Sequence, residues 1–354
     1  FRYNPKNTES QIVQKTLFNE KKTIIENCLF GVDINPNSVK ICRLRLWIEL
    51  LKNAYYKNAT ELETLPNIDI NIKNGNSLLS RFPLDTDLKT ALKKTKILIA
   101  EYKNAFHKYQ NAENKEQKWE LEHFIDKIKN NFRTEINKNS KEVKELQKLK
   151  TEYFLKYESA QLFQDALTPE QENHKKQLES AIEKMKTKIE AINSNKIYEN
   201  AFEWRFEFPQ VLDDEGNYIG FDIVVGNPPY IKEYENRKAF DGFRETPYYK
   251  GKMDIWYGFA CKGIDLLKQK GTISFIAQNN WVTSSGASIL RNKILEETEL
   301  EVFIDFVDYK VFESASIQTM IFLLQKVEEP HEEYYTKVSI LKDKDITESQ
   351  LKDF

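Results

Sequence analysis

The tetrapeptide Asn227-Pro228-Pro229-Tyr230 has the residue types and spacing needed to do chemistry on an amine, and it directly follows the apolar run 221–226. Two successive prolines end a strand, remove two N–H donors and fix φ twice. The Asn227 amide oxygen and the Pro228 carbonyl can then accept both hydrogens of one amino group. Tyr230 offers a flat face for a planar ring. The motif therefore suits an exocyclic amine on a heteroaromatic base.

Such an amine is a poor nucleophile because its lone pair is delocalised into the ring. Two acceptors on its hydrogens favour a pyramidal nitrogen whose lone pair is localised. The alternative interpretation of the tetrapeptide is a polar turn whose tyrosine packs on the surface.

Asp33 is a second candidate, since it lies at the end of the short apolar run 28–34. An acid at the end of a strand in a doubly wound sheet can accept hydrogen bonds from ribose hydroxyls. The same acid can instead cap the following helix, which Asn35-Pro36 predicts. Asn76 follows another apolar run, at 68–72, in the same way.

The elements that must position these residues alternate between strand and helix. The sequence predicts strands at 28–34, 68–72, 221–226, 271–276, 302–306 and 319–324, with a helix at 254–268. The last two strands are close enough to pair as an antiparallel hairpin. This alternation predicts an α/β fold with a mainly parallel sheet covered on both faces. Ligands of such sheets bind outside the carboxyl ends of the strands.

Residues 85–200 lack glycine, and their apolar residues recur at helical spacing. This pattern predicts a long helical insertion that folds back on itself. A heptad seam with spacings of 4, 3, 4 and 3 residues is formed by Leu178, Ile182, Met185, Ile189 and Ile192. Thr168 is the predicted N-cap, with Pro169 at the first helical position. A solvated structural arm is the favoured interpretation, and contact with DNA or a partner subunit is the alternative.

Composition excludes several classes of protein. The net charge of −2, from 53 Lys+Arg and 55 Asp+Glu, excludes a uniformly basic nucleic-acid coat but allows a local basic cleft. No apolar run is long enough for a membrane span. The three cysteines and four histidines match no disulfide or metal framework. We therefore expect a reduced, cytosolic protein without a metal site.

A local basic and aromatic stretch follows the tetrapeptide. Arg244, Lys250 and Lys252, with Tyr248 and Tyr249 between them, could bind phosphate and pack against sugars. An ordinary exposed loop is the alternative.

Residues 221–231, Phe-Asp-Ile-Val-Val-Gly-Asn-Pro-Pro-Tyr-Ile, resemble the catalytic motif of N6-adenine DNA methyltransferases. The wider layout resembles restriction–modification enzymes with gamma motif order, including the fused type IIG enzymes. Four further segments agree, at residues 31–35, 74–78, 252–259 and 306–312. The resemblance covers about 29–83 and 203–327. It implies a Rossmann-like class I methyltransferase sheet, interrupted by the coiled-coil-like helical insertion.

The resemblance also implies roles for individual residues. Asn227 and the Pro228 carbonyl hold the adenine N6, and Tyr230 and Phe312 sandwich the base after it is flipped out of double-stranded DNA. S-adenosylmethionine is the implied cofactor. Its ribose binds Asp33, its adenine amine binds Asn76, and its adenine faces pack against Ile34, Pro229 and Phe259.

Two departures from the family pattern lead to further expectations. Asn76 stands where the family usually has an acid, and residues 4–22 contain no glycine where a glycine-rich cofactor loop is expected. The sequence also starts without methionine. We therefore expect a fragment of a longer bacterial, cytoplasmic protein that carries the missing loop upstream and a target-recognition domain downstream.

The expected parts are 1–84 and 201–328 for the methyltransferase domain, 85–200 for the insertion, and 329–354 for the start of a linker. Two other functions remain open at this point. One is a methyltransferase acting on a protein glutamine amide or an RNA amine. The other is a fragment that binds DNA or a partner without the cofactor.

Overall fold

The computed structural model describes residues 3–58, 60–86, 88–89, 92–93, 98–112, 114–138, 141–158, 168–193, 200–312, 317–342 and 351. Within these ranges, no helix is long and apolar enough to cross a membrane. The chain divides into two compact units, Phe1–Asn217 and Tyr218–Phe354. We call them the first and the second unit. The four-part division expected from the sequence stays a prediction.

The first unit contains a small parallel sheet with helices around it. Its elements up to the insertion are α1 (Thr8–Asn27), β1 (Gly31–Asp33), α2 (Pro36–Leu51) and β2 (Ile72–Asn74). Strands β1 and β2 pair in parallel, with Asp33 opposite Asn74. The Asn35 side chain accepts a bond from Asn37 N at 2.9 Å and caps α2, which has proline at its first position.

The predicted strand at 68–72 is wrong in its position. Ile68–Ile70 form a 3-10 turn, and the strand starts at Ile72. The cause is Asn71, which is buried and donates through Nδ2 to the carbonyls of Glu26 at 2.7 Å and Leu29 at 3.2 Å. This anchor holds the turn against the end of α1, so the backbone becomes extended only after Asn71.

The insertion is helical, as predicted. Its helices are α3 (Ile99–Gln110), α4 (Lys115–Lys138), α5 (Lys141–Tyr153) and α6 (Pro169–Asn193). The cap predicted at Thr168 is confirmed, because its Oγ1 accepts from Gln171 N at 3.3 Å and its own N–H donates to Gln171 Oε1 at 2.9 Å.

The interpretation of the insertion as a solvated arm is wrong for its first half. Tyr102 of α3 and Phe132 of α4 are fully buried, and they share one core with Phe82 and Phe206 from outside the insertion. A helix whose aromatic residues complete the core of its unit cannot be removed without exposing that core.

The two ends of the insertion are fastened together by buried side chains around α7 (Trp204–Glu207). The Glu203 carboxylate accepts from Arg81 N at 2.6 Å. The Arg205 guanidinium donates to Thr86 O at 2.6 Å and to Gly216 O at 2.9 Å. The chain therefore leaves and re-enters the first unit at one place.

The second unit is a mixed sheet with strand order β3-β4-β6-β5-β7. Its elements are β3 (Phe221–Gly226), α8 (Trp256–Leu266), β4 (Leu267–Gln278), α9 (Ser288–Glu297), β5 (Thr298–Asp305), β6 (Thr319–Lys326) and β7 (Lys337–Ile340). Short 3-10 turns lie at Pro209–Val211 in the first unit, and in the second at Arg237–Phe240, Phe243–Glu245, Asn279–Val282 and Ser285–Ala287.

The predicted hairpin of the last two strands is confirmed, since β5 and β6 pair antiparallel. Strands β3 and β4 are parallel, whereas β4 and β6 are antiparallel. Helix α8 packs on this sheet so closely that a Cβ at Gly263 would collide with Cδ1 of Ile273. The α/β class predicted from the sequence is thereby confirmed.

A largely buried ionic cluster stabilises the first unit. The Glu207 Oε2 atom lies 2.7 Å from Lys73 Nζ of β2 and 2.8 Å from Lys129 Nζ of α4. Burial alone raises the pKa of Glu207, but the charges of Lys73 and Lys129 outweigh it and lower the pKa to about 2. This carboxylate links the sheet to the insertion.

We expect Glu207→Gln to lower the free energy of unfolding at pH 7 by about 3 kcal/mol, because the buried Lys129 and the partly buried Lys73 lose their counter-charge. In the wild type the carboxylate stabilises the folded state above its unfolded-state pKa. That contribution, about 3 kcal/mol, is lost as the pH falls from about 5 to 2.

The measurement is urea unfolding followed between pH 7 and pH 2. Glu215→Gln is the control, since its carboxylate pairs with Lys89 in an exposed position. An equally steep acid dependence in the Glu207→Gln protein would contradict the assigned role.

Candidate active site

The tetrapeptide forms a loop directly after β3. The strand pairs with β4 up to Gly226, which lies opposite Phe275. A Cβ at Gly226 would be 2.8 Å from the Phe275 ring, so only glycine fits at this strand end. Asn227 is exposed and Pro228 is buried. The backbone turns away from the sheet where the two prolines prevent further pairing.

Tyr230 is fixed by its hydroxyl group. The oxygen lies 2.8 Å from the Ile276 carbonyl oxygen and 3.1 Å from Asn227 Oδ1. Burial, together with the nearby Asp254 carboxylate, raises the pKa of Tyr230 to about 12. The hydroxyl therefore stays protonated at neutral pH and donates its single proton to one of these acceptors. Asn227 Oδ1 keeps at least one lone pair for another donor.

Asp254 fastens the loop to the start of α8. Its Oδ1 atom accepts from Ile231 N at 3.0 Å and from Trp256 N at 3.3 Å, and Ile255 N donates to the Ile231 carbonyl at 3.0 Å. Burial raises the pKa of Asp254. Sequence analysis did not assign this residue a role. Its signal was an acid two residues before an apolar helix, where it can bond the first N–H groups.

The predicted cofactor residues of the first unit lie at the carboxyl ends of β1 and β2. Asp33 is exposed, and its Oδ1 accepts from Asn35 N at 2.6 Å. The described part of the chain offers no partner to the other carboxylate oxygen, so Asp33 caps the chain turn and can still bind hydroxyls. Ile34 beside it is 63% exposed. Asn76 accepts from Leu78 N at 3.1 Å, which leaves its NH₂ group to donate.

An exposed carboxylate beside an exposed apolar side chain fits the adenosine part of S-adenosylmethionine. The carboxylate suits the ribose hydroxyls, and the apolar side chain suits a face of the base. Pro229 and Phe259, the other predicted contacts, belong to the second unit, where Pro229 is exposed and Phe259 is partly buried. Their cofactor role stays a prediction.

The residues predicted to contact DNA differ in whether their side chains already bind other groups of the protein. Three nitrogens of Arg244 donate to Glu233 at 3.1 Å, Asp241 at 2.9 Å and the Arg237 carbonyl at 2.8 Å. Its guanidinium thus organises the loop. Lys250 and Lys252 are exposed, and the described residues offer them no ion-pair partner. Phosphate binding by this stretch stays a prediction that depends mainly on the two lysines.

Phe312 lies partly buried at the end of the segment that follows β5. Val307, in the same segment, has φ at 47°, which is strained for a β-branched residue. The Asp305 carboxylate stabilises this conformation by accepting from Val307 N at 2.9 Å. Between Tyr230 and Phe312 the structure shows no ring contact among the residues it describes, and stacking on a base stays a prediction.

Comparison with known proteins identifies the family. Residues 27–312 match the model of the Eco57I restriction-modification methylase family, which is most of the chain. The chain therefore belongs to this family.

Its relatives are longer proteins. A candidate type II restriction enzyme and methyltransferase of Methanocaldococcus jannaschii, RM.MjaORFECS2P, is 26% identical over 88% of this chain and 27% of its own length. The type II methyltransferase M.PaeR7I of Pseudomonas aeruginosa is 31% identical over 27% of this chain and 17% of its own. The chain thus spans about a quarter of the M. jannaschii relative, and the match to M.PaeR7I is shorter.

Among solved structures, the methyltransferase subunit of the type I restriction-modification system from Streptococcus thermophilus is similar. Its TM-score is 0.26 and its identity 26%, over 30% of this chain and 24% of that one.

We expect Asp254→Ala to lower the free energy of unfolding by about 1–3 kcal/mol, because the Ile231 and Trp256 N–H groups lose their shared acceptor. Asp254→Asn retains an oxygen at this position and should recover most of the loss. Urea denaturation of both proteins measures this difference. Equal stability of the alanine variant and the wild type would show that the loop is held by other contacts.

Proposed function

We propose that this chain transfers a methyl group from S-adenosylmethionine to the N6 amine of adenine in double-stranded DNA, within a restriction–modification system. One observation carries the proposal. In a member of a restriction-modification methylase family, the loop after β3 carries the exposed Asn227, followed by Pro228, whose carbonyl is a second acceptor. This pair of acceptors suits both hydrogens of one aromatic amine.

The acceptors act on the amine rather than on the methyl donor. Bonds from N6 to Asn227 Oδ1 and to the Pro228 carbonyl favour a pyramidal nitrogen with a localised lone pair. S-adenosylmethionine, when bound, supplies an electrophilic methyl group on sulfur. The nitrogen would attack the methyl carbon, and the sulfur would leave with the bonding electron pair as a neutral thioether. The loop therefore contributes alignment and desolvation and forms no covalent bond. The proton lost from N6 passes to solvent.

Tyr230 supports this geometry through the position of its ring. Its hydroxyl is held by the Ile276 carbonyl at 2.8 Å, so the ring has a fixed orientation beside Asn227. The target amine lies inside the duplex, and the adenine must be flipped out to reach the loop. Tyr230 and Phe312 would then stack on the two faces of the extruded base.

The cofactor residues of the first unit fit the proposal. The available oxygen of Asp33 accepts from the ribose hydroxyls, and Ile34 packs on the cofactor's adenine. Asn76 cannot act as the acid that the family usually has here, and we propose that its amide contacts the adenine edge instead. Pro229 and Phe259 supply the remaining apolar contacts.

The relatives support the assignment to DNA. RM.Eco57I of Escherichia coli is a type II restriction enzyme and methyltransferase, and the two chains are 27% identical over 122 residues, which are 32% of this chain and 12% of that one. A protein glutamine amide or an RNA amine is also a weak nucleophile, so the assay below must identify the methylated product.

We expect the protein to transfer labelled methyl from S-adenosylmethionine to unmethylated DNA, with the label found in N6-methyladenine after digestion to nucleosides. Asn227→Ala should reduce transfer at least about a thousandfold, because the amine loses an acceptor that acts in the transition state. Calorimetry should find cofactor binding almost unchanged in this variant.

The matched control is Asn292→Ala, which removes an exposed asparagine of α9. It should leave both transfer and cofactor binding unchanged. Equal loss of transfer and of cofactor binding in Asn227→Ala would contradict a role on the target amine. Label in protein or RNA, and none in DNA, would transfer the proposal to those substrates.

We expect Phe312→Ala to weaken base flipping, because one aromatic face of the base is lost. Duplex DNA with 2-aminopurine at the target position should show a smaller fluorescence increase on binding than with the wild type. Phe312→Leu retains apolar bulk without stacking and should lie between the two. An unchanged increase in Phe312→Ala would show that another residue stacks on the base.

A further inference from the structure

The segment that follows the tetrapeptide returns to it just before α8 begins. Glu233 N donates to the Met253 carbonyl at 3.0 Å, and Ile255 N donates to the Ile231 carbonyl at 3.0 Å. We call this short antiparallel pairing the neck, and the chain between Glu233 and Met253 the neck loop. Because Ile231 directly follows the tetrapeptide, the geometry of the neck also determines where the tetrapeptide ends.

The Glu233 carboxylate collects three donors of the neck loop. Its Oε1 atom accepts from the Tyr249 hydroxyl at 2.6 Å and from Arg244 Nε at 3.1 Å, and its Oε2 atom accepts from Lys252 N at 2.9 Å. The side chain is only 14% exposed. The bond from Tyr249, with smaller effects of Lys252 and Arg244, outweighs burial and lowers the pKa of Glu233. The carboxylate is therefore ionised at neutral pH, when both of its oxygens act as acceptors. Sequence analysis assigned it no role.

The chain re-enters the neck through a strained turn. Lys252 has φ at 50°, a conformation that residues other than glycine rarely adopt, and Gly251 before it has φ at 85°. Such strain persists only where surrounding contacts hold it. The bond from Lys252 N to Glu233 is one such contact. Without the carboxylate, we expect the turn to relax and the Met253 carbonyl to move away from Glu233 N.

Apolar contacts hold the rest of the neck loop independently of this carboxylate. Phe240 and Phe243 are fully buried. The Phe243 ring packs so closely on α8 that a Cβ at Gly258 would lie 2.4 Å from it. The loop should therefore stay folded when Glu233 is replaced, and only the neck should loosen.

We propose that Glu233 is a positioning residue for the methyl transfer. Its carboxylate fixes the neck, and the neck holds Ile231 N against the Asp254 carboxylate, 3.0 Å away. The acceptors of Asn227 and Pro228, just before Ile231 in the chain, are thereby kept in place for the amine. Glu233 acts through these contacts and needs no contact with the substrate. This inference rests on the proposed methyl transfer.

The first test separates turnover from cofactor binding. Glu233→Ala should lower kcat for methyl transfer about tenfold or more, because misplacing reacting groups by about 1 Å can cost about a hundredfold. The affinity and stoichiometry of S-adenosylmethionine binding, measured by calorimetry, should stay at the wild-type values. A purely structural role would lower the binding stoichiometry in step with the activity, and that result would overturn the proposal.

Two further variants examine the same carboxylate. Glu245→Gln is the matched control, since this exposed glutamate of the neck loop has no ion-pair partner in the described part of the chain, and its kcat should be unchanged. Tyr249→Phe retains the ring and should lower kcat about threefold, the size of one hydrogen bond. Added to Glu233→Ala, it should cause no further loss, because it acts through the same group. Fully additive losses would contradict the role of the carboxylate.

A second test needs no substrate. Amide hydrogen exchange at Ile231 and Ile255, followed by NMR, reports how often the neck opens. Glu233→Ala should accelerate exchange at both amides about tenfold, the size of one lost hydrogen bond. Exchange in β4 should not change, and Glu245→Gln should leave all of these rates at the wild-type values. Unchanged exchange at Ile231 and Ile255 in Glu233→Ala would overturn the proposal, even if its activity were lower.

The results also distinguish this inference from the function on which it rests. Faster exchange together with a lower kcat supports the role of Glu233, whichever substrate accepts the methyl group. Transfer to RNA or protein in place of DNA would overturn the proposed methylation of DNA, and kcat would then be compared on that substrate. Methylation of DNA with a normal kcat in Glu233→Ala would overturn the positioning role and keep the proposed function.

Discussion

The candidate site depends on the end of strand β3 and on the hydrogen bonds that fix the loop after it. Two prolines stop the strand, and two side chains hold the loop after it. The Tyr230 hydroxyl is hydrogen-bonded to the Ile276 carbonyl of the neighbouring strand β4. The Asp254 carboxylate, just before α8, accepts a hydrogen bond from Ile231 N of the loop. A loop that is fastened to a strand and to a helix loses little entropy when it binds substrate. The acceptor atoms of Asn227 and Pro228 are therefore fixed before the amine arrives.

The sequence predicted the parts of this arrangement that local residue chemistry determines. Alternation and prolines located β3 and its loop, and Thr168-Pro169 located the start of α6. The sequence could not predict the contacts of residues whose partners are distant in the chain. Asn71 displaced a predicted strand because its amide bonds carbonyls more than 40 residues earlier. No local pattern distinguishes such an asparagine from a loop residue.

The same limit applies to charge and to burial. Arg244 belongs to a basic stretch, but Glu233 and Asp241 converge on its guanidinium only in the fold. The apolar spacing of the insertion predicted helices correctly, yet spacing alone cannot tell whether the apolar face meets another helix or the core of the unit. Tyr102 and Phe132 meet that core.

A protein with a net charge of −2 can still bind DNA if its positive charges are left unpaired at one place. Many lysines of this chain are neutralised by nearby carboxylates, including Lys73 and Lys129 at Glu207 and Lys293 at Asp265. Three exposed lysines lack such partners among the described residues, namely Lys250, Lys252 and Lys310. Exposed lysines of this kind can contact a phosphate backbone without first breaking an ion pair.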